Sequence, residues 1–297
     1  MLLLITPKLE VQMRGLFDVT TYNIAAVFVS VIPNKFHFAN FTEDSDVAGL
    51  TVKYEDVGEC ADLTTYELTF LDQTVAVTRA TANRIAYAFT QCVDVTFTLV
   101  RYLGGLEIGN RSVTQDFAPK DFNFINFMES SNDTGYSFSF DESCLCKDRA
   151  TYTLTINDET IDVNYGQTGH HAKTFTACIP VVTFTLRRYV GGVEYGNEGT
   201  ITDFAPQNFK FRDFKESSDN TGYTYYFDDD GLCTSLTNYK LSINSDTFDV
   251  TRAQDGSRSH TFTQCEENVK FTLRRYVSTR LIGDPIELTD FAPRSNS

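Results

Sequence analysis

The chain has 297 residues, with 25 Phe and 15 Tyr but no Trp, and a formal net charge of −15. That charge argues against a nucleic acid or an anionic membrane surface as partner, since both would repel it. No apolar run reaches the ~18–20 residues of a membrane-spanning helix, and the aromatic bias favours strands.

Met1–Ile5 is apolar but short, and Pro7, Lys8 and Glu10 follow at once. With no basic stretch before it, it does not read as a complete signal peptide. Residues 1–33 are expected to be the end of an incomplete preceding module, or a donor strand that completes a neighbouring chain's sheet.

From residue 34 the chain repeats. Asp-Phe-Ala-Pro occurs at Asp116–Pro119, Asp203–Pro206 and Asp290–Pro293, with successive prolines 87 residues apart. Each copy opens on Phe-x-Phe (Phe36/Phe38, Phe122/Phe124, Phe209/Phe211) and continues with Phe41/Glu43, Phe127/Glu129 or Phe214/Glu216. A turn glycine (Gly49, Gly135, Gly222) and a tyrosine (Tyr66, Tyr152, Tyr239) come next. Each copy closes on a strand-like run and an Arg-Tyr pair: Arg101-Tyr102, Arg188-Tyr189 and Arg275-Tyr276. A period of this length marks a modular array. The expected modules are 34–119, 120–206 and 207–293, with a tail at 294–297.

Within the second copy, Tyr136–Phe140, Tyr152–Ile156 and Val182–Leu186 alternate apolar with small polar residues. Period two places one face in a core and the other in water. Turn signals at Asn132–Gly135, Asn157-Asp158, Gly166–Gly169 and Gly191-Gly192 separate these runs. Roughly seven short strands per copy predict an all-β chain of three tandem antiparallel β-sandwiches.

Six of the seven cysteines fall in equivalent positions, Cys60/Cys92, Cys146/Cys178 and Cys233/Cys265, 32 residues apart within each copy. The expectation is one disulfide inside each module, in an oxidising compartment. Each module offers two cysteines and no repeated His, which does not make a zinc site. Cys144 has no counterpart, its equivalents being Gly58 and Gly231. Three roles are open to it: a thiol, an intermolecular cross-link, or the partner of Cys178.

Asn40, Asn110 and Asn132 begin Asn-x-Ser/Thr sequons, candidates for glycosylation in a secreted chain. The acidic stretches after Glu43, Glu129 and Glu216, with Asp116, Asp203 and Asp290 at the module junctions, are oxygen-rich enough to be weighed as calcium ligands. Solvated polar turns are the preferred reading, and no cofactor is expected. In Asp-Phe-Ala-Pro the proline stops the last strand, and Phe117, Phe204 and Phe291 are placed to wedge between modules. Arg187, Arg188, Arg274 and Arg275 are expected to pair with carboxylates on neighbouring strands. His170 and His171 do not recur, and no hydrolase, metalloprotease or phosphate-loop motif is present, so a catalytic role is not expected.

The strand pattern and repeat length over residues 34–293 resemble the tandem immunoglobulin-like or fibronectin-type arrays of cell surfaces, without the core Trp of true immunoglobulin domains. That resemblance implies an extracellular or cell-surface protein. The first expectation is a structural repeat that forms a fibre, sheath or stalk with other copies of itself. The second is an adhesin or receptor ectodomain whose loops bind a glycan or a protein.

Overall fold

The computed structural model describes residues 10–14, 19–23, 36–58, 61–79 and 81–294. Two strands, β1 (Glu10–Arg14) and β2 (Val19–Asn23), pair with each other as an antiparallel hairpin. The rest of the 1–33 segment, and with it the question of an incomplete module, lies outside the described residues.

The first sandwich consists of β3 (His37–Asp46), β4 (Gly49–Val57), β5 (Thr64–Phe70), β6 (Gln73–Val77), β7 (Asn83–Ala86), β8 (Val93–Leu103), β9 (Leu106–Glu107) and β10 (Ser112–Ala118). The second has β11 (Phe124–Asn132), β12 (Gly135–Glu142), β13 (Ala150–Ile156), β14 (Glu159–Val163), β15 (Gly169–Ala172), β16 (Ile179–Val190), β17 (Val193–Glu194) and β18 (Gly199–Ala205). The third has β19 (Lys210–Asp219), β20 (Gly222–Asp230), β21 (Thr237–Ile243), β22 (Asp246–Val250), β23 (Gly256–Ser259), β24 (Glu266–Val277), β25 (Arg280–Leu281) and β26 (Ile286–Ala292).

Every sandwich has the same topology. The first, second and fifth strands make a three-stranded sheet; the remaining five make the other sheet, in which the long sixth strand pairs with the third, the seventh and the eighth. All pairings are antiparallel. The chain divides into two compact units, Met1–Asn123 with Ser143–Arg149, and Phe124–Glu142 with Ala150–Ser297. The first holds one sandwich and the loop that follows β12; the second holds two sandwiches.

The cores are aromatic. Tyr54, Tyr66, Phe70 and Phe97 fill the first, Tyr136, Phe140, Tyr152 and Phe184 the second, and Tyr223, Phe227, Tyr239 and Phe271 the third. They are drawn from both sheets, so the sheets pack face to face. Alternation does the sorting: in β13, ATYTLTI, Tyr152, Leu154 and Ile156 are buried while the residues between them are more exposed. Rings from three strands meet in each copy, with Phe38 5.7 Å from Tyr54, Phe124 5.8 Å from Phe140 and Phe211 6.3 Å from Phe227, all edge to face.

Two backbone devices recur. The first strand of each copy carries a bulge, between Ala39 and Thr42, Ile125 and Met128, and Arg212 and Lys215. There Asn40, Asn126 and Asp213 take φ of 53°, 53° and 51°, a left-handed conformation that Asn and Asp tolerate best among non-glycine residues. The turn glycines open the second strand where the fifth strand lies close: a Cβ on Gly49, Gly135 or Gly222 would stand 2.2 Å from a carbonyl oxygen, of Ile85, His171 or Arg258.

An ion pair lies buried in each core. Arg101 pairs with Asp56, Arg188 with Glu142 and Arg275 with Asp229, and all six side chains are excluded from solvent. For Arg188 and Arg275 the expected partners were carboxylates on neighbouring strands. The structure puts them across the sandwich, on the second strand of the facing sheet. Antiparallel register brings the Arg opposite the recurrent tyrosine (Tyr66↔Arg101, Tyr152↔Arg188, Tyr239↔Arg275), and both project into the core towards that facing strand. Tyr66 and Tyr239 donate their hydroxyls to Asp56 and Asp229, each at 2.7 Å. Burial raises the Tyr66 and Tyr152 hydroxyls above the usual tyrosine value and pushes Tyr239 up to about 12. The guanidinium carbons stack on the second Phe of the opening motif, 4.5 Å from the Phe38 centroid, 4.1 Å from Phe124 and 4.0 Å from Phe211.

Removing one partner of such a pair strands a buried charge. Arg275→Met is therefore expected to destabilise the third sandwich by about 3–5 kcal/mol, and Arg275→Met with Asp229→Leu by much less. Urea denaturation followed by tyrosine fluorescence checks this; a cost below about 1 kcal/mol for the single change would contradict it.

Candidate functional site

The six repeat-equivalent cysteines are the residues that set this chain apart from a plain array of sandwiches. The structure contradicts the pairing expected from their spacing. Cys92 is bonded to Cys146 and Cys178 to Cys233, with Cα–Cα distances of 4.9 and 4.7 Å and sequence separations of 54 and 55. In each bond the trailing cysteine of one module meets the leading cysteine of the next. Cys265 is an exposed thiol, and Cys60 lies outside the described residues.

The third sandwich shows why the in-module bond does not form. Its leading cysteine, Cys233, follows β20, whose end pairs with the start of β19 (Lys210↔Asp230) at the pole where the module begins. Its trailing cysteine, Cys265, precedes β24, whose first residue pairs with the last residue of β26 (Glu266↔Ala292) at the pole where the module ends. A strand of nine or ten residues separates the poles by roughly 30 Å, whereas bridged cysteines have Cα atoms about 4.4–6.8 Å apart. Within the second unit, by contrast, the trailing pole of the second sandwich meets the leading pole of the third, where Cys178 and Cys233 are bonded.

Cys144 belongs to neither disulfide. It is buried, its thiol donates to the Pro119 carbonyl at 3.4 Å, and its sulfur accepts the Cys146 N–H at 3.2 Å. That geometry removes it as partner of Cys178.

Asp-Phe-Ala-Pro is not a free linker. Asp, Phe and Ala end the last strand, and the three Ala–Pro bonds are cis. Each Asp accepts the N–H of the Phe that follows, at 2.8, 2.9 and 2.8 Å for Asp116, Asp203 and Asp290. The residue after each proline is clipped back onto the first strand of the sandwich it leaves: Lys120, Gln207 and Arg294 donate their backbone N–H to the carbonyls of Ser45, Ser131 and Ser218. Their side chains reach Glu43, Glu129 and Glu216 respectively.

These three glutamates were weighed as calcium ligands. Each instead sits under a module exit and is taken up by the residue after the proline. Among the described residues, no three His, Cys, Asp or Glu side chains are grouped as a metal site. The signal for this clip was in the sequence: each Glu recurs 77 or 78 residues before a long side chain that can donate a hydrogen bond. Asn40, Asn110 and Asn132, the sequon residues, are all exposed.

At the second junction Phe204 and the Cys178–Cys233 bond pack with Phe209, Leu236, Val277 and Ile282. Arg280 grips Asp203 at 2.6 and 2.8 Å. In the first unit Arg149 grips Asp94 at 2.5 and 3.0 Å and lies 5.8 Å from the Phe117 ring. Arg149 and Arg280 were not singled out from the sequence, and they do not occupy equivalent repeat positions. Phe117 and Phe204 are buried, at 8% and 4% exposed, while Phe291 is 50% exposed.

Where Glu43 and Glu216 face cations, Glu129 faces the neutral Gln207 amide, at 2.9 Å. Burial pushes the Glu129 carboxyl up to about 7; Gln207 and Arg280 oppose the rise, and the nearby Asp203 adds to it.

No protein-family model matches the chain, and no curated protein sequence matches it. Among solved structures it is similar to the chicken CNTN1 FN1–FN3 domains, at 7% identity over 85% of this chain and 97% of that one, with a TM-score of 0.29. It is similar to the central fibronectin-III array of RIM-binding protein at 11% identity, over 88% of this chain and 98% of that one, with a TM-score of 0.25. It is similar to the BSP domain of a biofilm associated protein at 13% identity, over 88% and 68%, with a TM-score of 0.22. The resemblance is one of architecture.

A carboxyl with a raised folded-state pKa stabilises the fold fully below its unfolded value, here 4.5, and that contribution is lost as pH rises through about 7. Glu129→Gln is therefore expected to be more stable than the parent chain at pH 8, with the gap closing towards pH 5. Urea midpoints of both proteins across this range check it; a gap that does not change with pH would contradict it.

Proposed function

We propose that this chain is a tension-bearing segment of an extracellular or cell-surface structure, a stalk or fibre made of near-identical modules. Disulfides between successive modules carry this reading. Two modules joined only by a peptide linker can be pulled apart at the linker; here a second covalent connection bypasses it. The path from Cys92 to Cys146, along residues 147–177, and from Cys178 to Cys233 transmits force without loading residues 93–145 or 179–232. The shielded stretches contain every residue of the junctions' Asp-Phe-Ala-Pro motifs and exit clips at Lys120 and Gln207.

Two further features support it. Persistent disulfides belong to oxidising compartments outside the cytosol. Repetition of one module builds length rather than a single unequal active domain.

Pulling single molecules by their ends tests the proposal. After unfolding, each intact bond is expected to withhold 54 or 55 residues from extension. That is roughly 180–200 Å per bond at about 3.3–3.6 Å per residue. Reduction releases both lengths, and Cys233→Ser releases only the second. Equal extension before and after reduction would contradict the proposal.

A further inference from the structure

The exit of the first sandwich carries a lysine where the other two carry residues of different chemistry. Lys120 follows Pro119, whereas Gln207 and Arg294 follow Pro206 and Pro293. All three are clipped to the first strand of their own sandwich, and each meets the glutamate of that strand. At the first exit the pair is sealed from water: the side chains of Lys120 and Glu43 are 5% and 3% exposed, against 33% for Arg294.

Burial on this scale is costly for two opposite charges. Both Glu43 carboxyl oxygens are buried, and among the described residues no hydrogen bond satisfies either, which leaves the Lys120 amine as their partner. Burial also pushes the Lys120 amine down to about 8, so part of the population carries a neutral nucleophile near neutral pH. Asp116 completes the cluster. Its Oδ2 accepts a hydrogen bond from Lys120 Nζ at 2.7 Å, and its Oδ1 is held by the Phe117 N–H at 2.8 Å. The Phe117 ring centroid lies 5.6 Å from Nζ on the apolar side. The Asp116 side chain is 37% exposed, so it links the sealed pair to solvent.

We propose that Lys120 and Glu43 join in an intramolecular amide, an isopeptide cross-link that fastens the exit of the first sandwich to its first strand. The ion pair is the unreacted form. Within it one proton passes from the ammonium to the carboxylate, leaving a neutral amine against a neutral acid, the cheaper state in a buried site. The Nζ lone pair attacks Glu43 Cδ and a C–N bond forms. Asp116 takes the proton that Nζ sheds and returns it to the departing hydroxyl; the C–O bond breaks and one water leaves. An amine and an acid become an amide and water, with no oxidant or other co-reactant. Fixed proximity replaces a bimolecular encounter, and one neutral amide replaces two buried charges.

The other exits lack the nucleophile. Gln207 offers an amide, and the Arg294 guanidinium keeps its proton. The second and third sandwiches are therefore internal controls. The bond closes the chain from residue 43 to residue 120, so residues 44–119 cannot extend while it is intact. This goes beyond the tension-bearing reading and does not depend on it: a chain under no load would carry the same bond.

Mass spectrometry of the whole chain, reduced and denatured, followed by its tryptic peptides, tests the proposal. The parent is expected to be one water lighter than its sequence. A branched peptide is expected to join the Glu43 stretch to the Lys120 stretch, with no cleavage after Lys120. Lys120→Arg keeps the ion pair, as Arg294 does in the third sandwich, and is expected at full sequence mass with the parent's tyrosine fluorescence. Asp116→Asn is expected to cut the cross-linked fraction of freshly purified protein roughly tenfold or more. A parent at full sequence mass would overturn the proposal. So would a lost water without the branched peptide, a loss that persists in Lys120→Arg, or an Asp116→Asn fraction equal to the parent's. With the amide in place, residues 44–119 are withheld whether or not Cys92–Cys146 is intact, so in the pulling experiment the first length is read in Lys120→Arg. The second, at Cys178–Cys233, is read in either chain, and failure of the tension-bearing reading would show there instead.

Discussion

The constraint on which the architecture turns is the opposition of the two cysteines in the second and third sandwiches. One follows the second strand and the other precedes the sixth, and antiparallel pairing carries those two points to opposite poles. A bond between them within one module would require the sheets to unravel, so the cysteines are satisfied only by adjacent modules. Each bond closes a loop of 54 or 55 residues, worth about 4 kcal/mol in the loop-entropy account of disulfides. That constraint acts across a junction, so it converts three small cores into a covalently braced chain. The exit clips at Lys120, Gln207 and Arg294 serve the same end by tying each linker back to the sandwich it leaves.

Within each module the buried Arg–carboxylate pair ties the two sheets together through the core. The guanidinium sits over a phenylalanine ring and bridges to the facing sheet, so one side chain both packs against an aromatic and fastens the two sheets through a polar contact. Arg suits this place because its planar fork stacks and hydrogen-bonds at once; Lys would do neither as well. The carboxylate is Asp in two modules and Glu in one, and the Tyr66 and Tyr239 hydroxyls donate to the two Asp.

Much of this was legible in the sequence. The 87-residue spacing, the period-two runs such as Tyr152–Ile156 and the glycine turns carry the fold directly, because side-chain alternation and backbone freedom are local properties. Arg188 and Arg275 were recognised as ion-paired, though their partners lie across the core. The disulfide connectivity was not legible, for a definite reason. In a regular repeat, a constant spacing within modules implies a constant spacing between them, so 32-residue and 54- or 55-residue pairings are equally regular along the chain. Only the three-dimensional placement of the poles distinguishes them. The role of Glu43, Glu129 and Glu216 was hidden similarly: an acid near a junction reads as part of a solvated polar turn until its distant partner after the proline is placed beside it. Arg149 and Arg280 break the repeat, and a search for recurring residues passes over them.

The central claim is that the cysteines join modules rather than close them. Proteolysis of the unreduced chain under conditions that block exchange, followed by mass spectrometry of the linked peptides, tests it most directly. The structure predicts one peptide pair joining Cys92 to Cys146 and another joining Cys178 to Cys233. Peptides joining Cys146 to Cys178, or Cys233 to Cys265, would contradict it.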